Sequence, residues 1–305
     1  MQLIVFGGHA YLGNGEFEYL NDTWVLDIST LTWQKVLPHG TPPDKRYGAS
    51  CQIVGNRMFV FGGRGPNGQL YRDMFFLDLV EWTWVPVSAT SSGPSPRFYH
   101  ASLVVGRKLV IHGGWNGQSK CYNDLWVFDT ETFSWVKPRT AGLAPPPMYG
   151  HNLNLTSNGH IMCFGGVSVT ADGIPEYHPD LRSLDTETMV WERPRNTGDY
   201  PSARYSQTMT PIGNDYVVLG GWGYGGMQSM EEGNKKPGAN TIVILDSDNM
   251  VWSLPEQLNP NPITHKYGHT AVNVQNHLFI FGGWNGKQAT NDLIIAEISH
   301  EIPEA

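Results

Sequence analysis

Apolar runs of about five residues, separated by short polar stretches, recur along the whole chain, and almost nothing between them has helical length or period. One stretch shows the pattern: residues 109–112 (Leu-Val-Ile-His) stop at Gly113-Gly114, a polar loop follows, residues 125–128 (Leu-Trp-Val-Phe) end at Asp129, and Trp135 opens a further run. Runs this short, rich in Val, Ile, Leu and Phe and bounded by Gly, Asn and Asp, predict β-strands, because they are too short for a stable helix and end in turn formers. A glycine pair ends a strand and lets a backbone or large side chain approach where a Cβ would clash. Asp129-Thr-Glu-Thr predicts a hairpin turn, since Asp and Thr bond back to their own backbone. Trp135 supplies a large apolar surface to fill the space between neighbouring sheets.

The pattern repeats. Glycine pairs fall at Gly7-Gly8, Gly62-Gly63, Gly113-Gly114, Gly165-Gly166, Gly220-Gly221 and Gly282-Gly283. Trp33, Trp84, Trp135, Trp191 and Trp252 each lie six residues after an aspartate, namely Asp27, Asp78, Asp129, Asp185 and Asp246. Thirteen residues beyond the tryptophan stand Arg46, Arg97, Met148 and Arg204, and fourteen beyond it Lys266. From there to the next glycine pair is sixteen residues four times and seventeen once. Only the segment between the glycine pair and the following strand varies strongly in length, 64–72 against 222–239.

Each repeat therefore has four strands, at 47–54, 57–61, 74–79 and 83–87 in the second copy. A period of about 50 residues with four strands per copy belongs to propellers of kelch type. The glycine pairs, the segment Tyr122-Asn-Asp-Leu-Trp126 and the closing tryptophans resemble the kelch motif across residues 2–298. The segments leading to Arg97 (Gly93-Pro-Ser-Pro-Arg97) and Arg204 (198–204) are most similar to the intracellular kelch docking domains, of the kind found in host cell factor and the Rab9 effector. The resemblance implies an all-β, six-bladed propeller with four-stranded antiparallel blades. The first copy lacks its first strand, and Pro303 stands where the last copy's tryptophan would fall, so the first and last blades are expected to be incomplete, with 22 strands of 24 encoded. The expected organisation is one domain over 1–305, cut from or set inside a longer protein.

Composition narrows the setting. Thirty-five Gly and 21 Pro recur at fixed offsets and read as turn punctuation, not low complexity. Cys51, Cys121 and Cys163 occupy different contexts and form no disulfide framework, and no apolar run reaches 18 residues. A reducing compartment fits, the cytoplasm or the nucleus, with no membrane span. The formal charge of −8 argues against general nucleic-acid binding.

In an antiparallel sheet, the loops joining second to third strands and those joining one repeat to the next share one edge, so one loop face is expected to collect the variable residues. The repeat cations Arg46, Arg97, Arg204 and Lys266 are expected at the mouth of a central channel, together with Arg64 and the loop aromatics Trp115, Trp222, Tyr224 and Trp284. Cations and indoles so gathered suit an acidic or phosphorylated segment of a protein partner. The competing reading is that each recurring cation packs on a neighbouring aromatic or bonds its carbonyls. The long loop 223–240, with Met227, Met230, Glu231, Glu232, Lys235 and Lys236, reads as a segment that orders on binding. His100, His151 and His269, each three residues after the cation position, read as structural histidines, and His112, where other copies have Phe or Leu, as a buried polar group with a partner.

Signs of catalysis are sparse. No Cys/His spacing suits zinc, and there is no phosphate loop or nucleophile motif. Plant specifier proteins of the same fold bind iron through Glu-xxx-Asp-xxx-His; Glu176 and Asp180 fit, but Leu184 takes the third place. The reading is a docking module with no cofactor, no metal and no catalytic residue. Two alternatives stay open on the sequence: an enzyme acting on a small anionic sugar at the channel mouth, and a spacer domain of a longer protein.

Overall fold

The computed structural model describes residues 1–224, 242–255 and 266–297. It divides into two compact units, one of residues 1–139, 146–149 and 169–174, the other of the described parts of 140–145, 150–168 and 175–305. Among the described residues each glycine pair belongs to its own antiparallel sheet. In the first unit the sheets are Gln2–Gly13, Glu16–Asp27 and Thr32–Val36; then Ser50–Val54, Arg57–Phe61, Met74–Asp78 and Thr83–Pro86; then Ala101–Val105, Lys108–His112, Leu125–Asp129 and Ser134–Val136. In the second unit they are Asn152–Leu155, His160–Phe164, Leu181–Asp185 and Val190–Glu192; then Thr208–Ile212, Asp215–Leu219, Val243–Asp246 and Val251–Ser253; then Thr270–Val274, His277–Phe281 and Leu293–Glu297. Among the described residues the first and last sheets have three strands.

Why the second strand of each copy reads as an unbroken apolar run is now plain. Met58, Phe59, Val60 and Phe61 are all buried, as are Leu109, Val110 and Ile111, because both faces of that strand are covered. Among the described residues no first strand lies alongside in the first sheet, and Leu3, Ile4, Val5 and Phe6 are only half-buried. The repeat tryptophans pack on the preceding sheet, as expected: Trp84 lies 4.9 Å from Phe6, Trp135 5.2 Å from Phe61 and Trp252 5.2 Å from Phe164, ring centre to ring centre.

Two features depart from the sequence reading. In the first copy the strand does not stop at Gly7-Gly8 but continues to Gly13, with register shifts at Phe6/Gly8 and Tyr11/Gly13, forming a long hairpin with Glu16–Asp27. The segments between repeats also add short parallel strands to the following sheet: His39–Gly40 beside Thr83–Trp84, Ala141–Gly142 beside Val190–Trp191, and Thr197–Gly198 beside Val251–Trp252. The glycine that closes each such strand meets the tryptophan backbone closely. At Gly198 φ is +91° and a Cβ would stand 2.0 Å from the Trp252 carbonyl oxygen. Gly198→Ala is therefore expected to cost roughly 2–3 kcal/mol in denaturant unfolding, strain and clash together. Gly213→Ala, with φ +59° but open space around it, is expected to cost about 1 kcal/mol or less.

The histidines link neighbouring sheets. His100 Nε2 lies 2.8 Å from Ser50 Oγ, and His269 Nε2 3.0 Å from Thr208 Oγ1. Burial, reinforced by the nearby Arg97 and Lys266 charges, pushes both rings down to about 3. His112 is wholly buried and donates to the Asn123 carbonyl; burial pushes its ring down to about 4.

Candidate functional site: an aromatic rim held by buried cations

The repeat cations come first, because they set the loops in place. Arg46 Nε donates to the Asp44 carbonyl (2.9 Å), Nη1 to the Gly62 carbonyl (3.0 Å) and to Asp73 Oδ1 (2.6 Å), and Nη2 to Asp73 Oδ2 (3.0 Å). Its guanidinium sits 4.0 Å from the Tyr71 ring centre. Arg97 repeats this with Ser95 (3.0 Å), Gly113 (2.8 Å), Asp124 (2.6 and 3.1 Å) and Tyr122 (4.2 Å). Lys266 reaches Gly282 O (2.9 Å), Thr290 Oγ1 (2.9 Å) and Asp292 Oδ1 (2.7 Å), and Arg204 reaches Ser202 O (3.1 Å) and Gly220 O (3.2 Å). The backbone carbonyls at these positions accept from the second glycine of the preceding pair: Gly8 to Arg46 (2.8 Å), Gly63 to Arg97 (2.9 Å), Gly166 to Arg204 (2.8 Å) and Gly221 to Lys266 (2.8 Å). Each cation thus fastens its own glycine turn by the side chain and the previous one by the backbone.

This corrects the expectation that Arg46, Arg97, Arg204 and Lys266 pair a partner's carboxylates. They are 1, 0, 0 and 3% exposed. The carboxylates that hold Arg46, Arg97 and Lys266 come from their own copies, 26 or 27 residues ahead. Burial pushes the Asp124 carboxyl up, but the hydrogen bond and charge of Arg97 outweigh it and leave Asp124 below the usual carboxylate range. In the fourth copy Met148 is buried at the cation position, and Asp180, the matching carboxylate, is held instead by Arg182 (3.2 Å) and Arg193.

The turns so fastened present aromatics. The residue after each cation forms a β-bridge with the residue after the glycine pair: Tyr47 with Arg64, Phe98 with Trp115, Tyr205 with Trp222 and Tyr267 with Trp284. In the first unit this builds a band of rings. Tyr11 meets Phe17 (5.2 Å), Phe17 meets His9 (5.3 Å), His9 meets Tyr47 (4.2 Å), Tyr47 meets Tyr99 (5.7 Å), and Trp115 stacks on Tyr149 at 5.0 Å and 11°. Arg64 lies within it, half-buried, 5.5 Å over the Phe98 ring and bonded to the Tyr47 hydroxyl. Among the described residues it has no carboxylate partner. In the second unit Trp222 meets Tyr267 edge-on at 5.4 Å, and Tyr177 meets the 63% exposed Tyr224 at 4.7 Å. Trp284 is half-buried, bridged to Tyr267 and Ala289.

Of the residues proposed from the sequence, Arg64, Trp115, Trp222 and Trp284 lie at these bridges and Tyr224 packs on Tyr177, whereas the bridge partners Tyr47, Phe98, Tyr205 and Tyr267 were not singled out. The signal was present: Tyr47, Phe98, Tyr149, Tyr205 and Tyr267 all directly follow the cation position. The candidate binding segment with Met227, Met230, Glu231, Glu232, Lys235 and Lys236 lies outside the described residues, as does Pro303. Leu184, which replaces the third iron ligand, is fully buried core, and Asp180 is already engaged. No helix among the described residues is long and apolar enough to cross a membrane.

Comparison with known proteins agrees with the repeat. The KLHDC2/KLHL20/DRC7 Kelch-repeats domain matches residues 1–221, and the Kelch motif matches residues 265–295. Host cell factor of Drosophila melanogaster is 29% identical over 334 residues, covering 98% of this chain and 21% of the fly protein. Acyl-CoA-binding domain-containing protein 4 of Arabidopsis thaliana is 26% identical over 307 residues, covering 96% and 43%. Host cell factor 1 of Homo sapiens is 28% identical over 338 residues, covering 99% and 16%. The chain thus spans less than half the length of each of these relatives. With its antiparallel sheets, glycine-pair turns and inter-sheet tryptophans, the chain belongs to the kelch-repeat family, an all-β fold of the β-propeller class.

Proposed function

We propose that this chain is a non-enzymatic docking module that captures an extended segment of a protein partner on its aromatic loop face, with Arg64 meeting an acidic or phosphorylated side chain of that segment. Kelch-repeat membership and the host cell factor relatives support a protein-interaction module. The observation that carries the finer reading is the division of labour among the cations: four are buried, three of these already neutralised by Asp73, Asp124 and Asp292, whereas Arg64 sits half-buried between Tyr47 and Phe98. A guanidinium in a wall of tyrosine and tryptophan is the residue set that dominates protein interfaces. Trp222, Tyr224 and Trp284 form a separate aromatic set, proposed as a contact surface of the second unit in its own right. The alternative of an enzyme acting on a small anionic sugar finds no free cation at Arg46, Arg97, Arg204 or Lys266, all of which are buried. The scattered, unpaired cysteines fit the cytoplasm or nucleus.

Affinity capture from lysate, read by mass spectrometry with wild type, Arg64→Ala and Trp115→Ala side by side, tests the reading. Partners recovered by wild type are expected to fall at least tenfold with either variant, while the unfolding midpoint of Arg64→Ala stays within about 2 °C. Unchanged recovery with both variants rejects this face.

A further inference from the structure

The second and third copies superpose in sequence at an offset of 51 residues: Arg46 on Arg97, Tyr71 on Tyr122, Asp73 on Asp124. At that offset Asp44 falls on Ser95 and Gln69 falls on Lys120. In the second copy the Asp44 carboxylate bonds the Tyr71 hydroxyl, and burial first, then this negative charge, raise the phenol. The backbone that carries the two residues is the same in both copies, since Arg46 Nε donates to Asp44 O at 2.9 Å and Arg97 Nε to Ser95 O at 3.0 Å. Each guanidinium then covers the matching tyrosine, at 4.0 Å for Tyr71 and 4.2 Å for Tyr122.

The third copy therefore has a hydroxyl where its neighbour has a carboxylate, and an added cation beside it: Lys120 Nζ lies 5.3 Å over the Tyr122 ring. Ser95 is exposed, outside any strand, and followed by Pro96. We propose that Ser95 is a phosphorylation site for a proline-directed serine/threonine kinase, and that the phosphate is clamped by Lys120 and the Tyr122 hydroxyl, reproducing with a larger charge the contact that Asp44 makes in the second copy. In the transfer, Ser95 Oγ attacks the γ-phosphorus of ATP, the bond from that phosphorus to the β–γ bridging oxygen breaks, ADP leaves, and the hydroxyl proton is released. The new dianion gains charge-assisted hydrogen bonds from donors already in place. Lys120 closes the hairpin that begins at Trp115, its carbonyl accepting from Asn116 N at 3.0 Å, so the clamp fastens the loop that carries Trp115. This inference does not depend on the docking reading, and its test uses no partner.

Purified protein is incubated with ATP and a proline-directed kinase, and the phosphate is located by peptide mass spectrometry, with Ser95→Ala as control. The expected result is phosphate on Ser95 and a rise of roughly 1–3 °C in the unfolding midpoint of the modified protein. In Lys120→Gln, which restores the second copy's residue, Ser95 is expected to be phosphorylated without that rise. Ser95→Asp against wild type, in both backgrounds, repeats the comparison without the kinase and is expected to show the same dependence on Lys120. Absence of phosphate from Ser95 in the folded protein overturns the site. A midpoint shift that is absent, or equal with and without Lys120, overturns the clamp.

Discussion

Alanine in place of Arg97 is expected to cost the protein about 3–5 kcal/mol, the usual penalty for removing one partner of a buried ion pair. The loss has identifiable parts. Asp124, whose side chain is 18% exposed, keeps its charge without the guanidinium that holds it, and the Gly113 carbonyl loses its donor at 2.8 Å. The Tyr122 ring also loses its cation at 4.2 Å. Against a typical total stability of about 5–15 kcal/mol, this is a large fraction. Urea unfolding monitored by tryptophan fluorescence reads it directly. The fourth copy shows the apolar solution, with Met148 buried at the same position. Arg97→Met combined with Asp124→Leu is accordingly expected to recover most of the loss, since an apolar pair of similar volume is often as stable as a buried ion pair. Arg64→Ala, at a half-buried position with no carboxylate among the described residues, is expected to cost less than about 1 kcal/mol. Equal stability of the Arg97 and Arg64 variants would show that the buried cations are not clamps.

Acid is expected to unfold this protein well above the range in which carboxylates titrate. In the folded chain the His100, His112 and His269 rings are held at about 3, 4 and 3, chiefly by burial. Unfolded, each returns to about 6.5. Because the folded values are depressed, the neutral rings add stability that is fully present above pH 6.5 and is lost as pH falls towards the folded values. Between about pH 6 and pH 4 unfolding takes up close to three protons at these sites, which corresponds to a slope of roughly 4 kcal/mol per pH unit. His9 and His178, also lowered by burial, push the same way. Urea midpoints at pH 7.5, 6.5 and 5.5 test this, and His269→Gln is expected to reduce the slope by about a third. A midpoint that is flat from pH 7.5 to 5.5 would mean that these rings are charged in the folded state.

Much of this architecture could be read in the letters because the repeat copies the same physics several times. A glycine pair, an aspartate and a tryptophan at fixed spacing each answer a local demand, and Trp135 against Phe61 is the contact that such a spacing implies. Parallel strands such as Thr197–Gly198 were not legible, because a two-residue strand has no period and is fixed only by Trp252 lying beside it. The aromatic sets of the two units were half legible. Trp115, Trp222 and Trp284 follow glycine pairs and draw the eye, but Tyr47, Phe98, Tyr205 and Tyr267 gain meaning only when the bridges join them. The clamp role of the cations is only partly legible: their recurrence points to a structural part, but the carboxylates 26 or 27 residues beyond Arg46, Arg97 and Lys266 become partners only when the fold brings them together.

The central claim is that buried cations hold the glycine-pair turns so that the rings beside them form a landing surface. Hydrogen–deuterium exchange on the chain with and without a partner recovered by capture tests it most directly. In the first unit, protection on binding is expected at residues 47–49, 64–71, 98–99 and 115–122. Protection confined instead to the hairpin turns at 55–56, 106–107 and 130–132, at the other ends of the same strands, would contradict the claim.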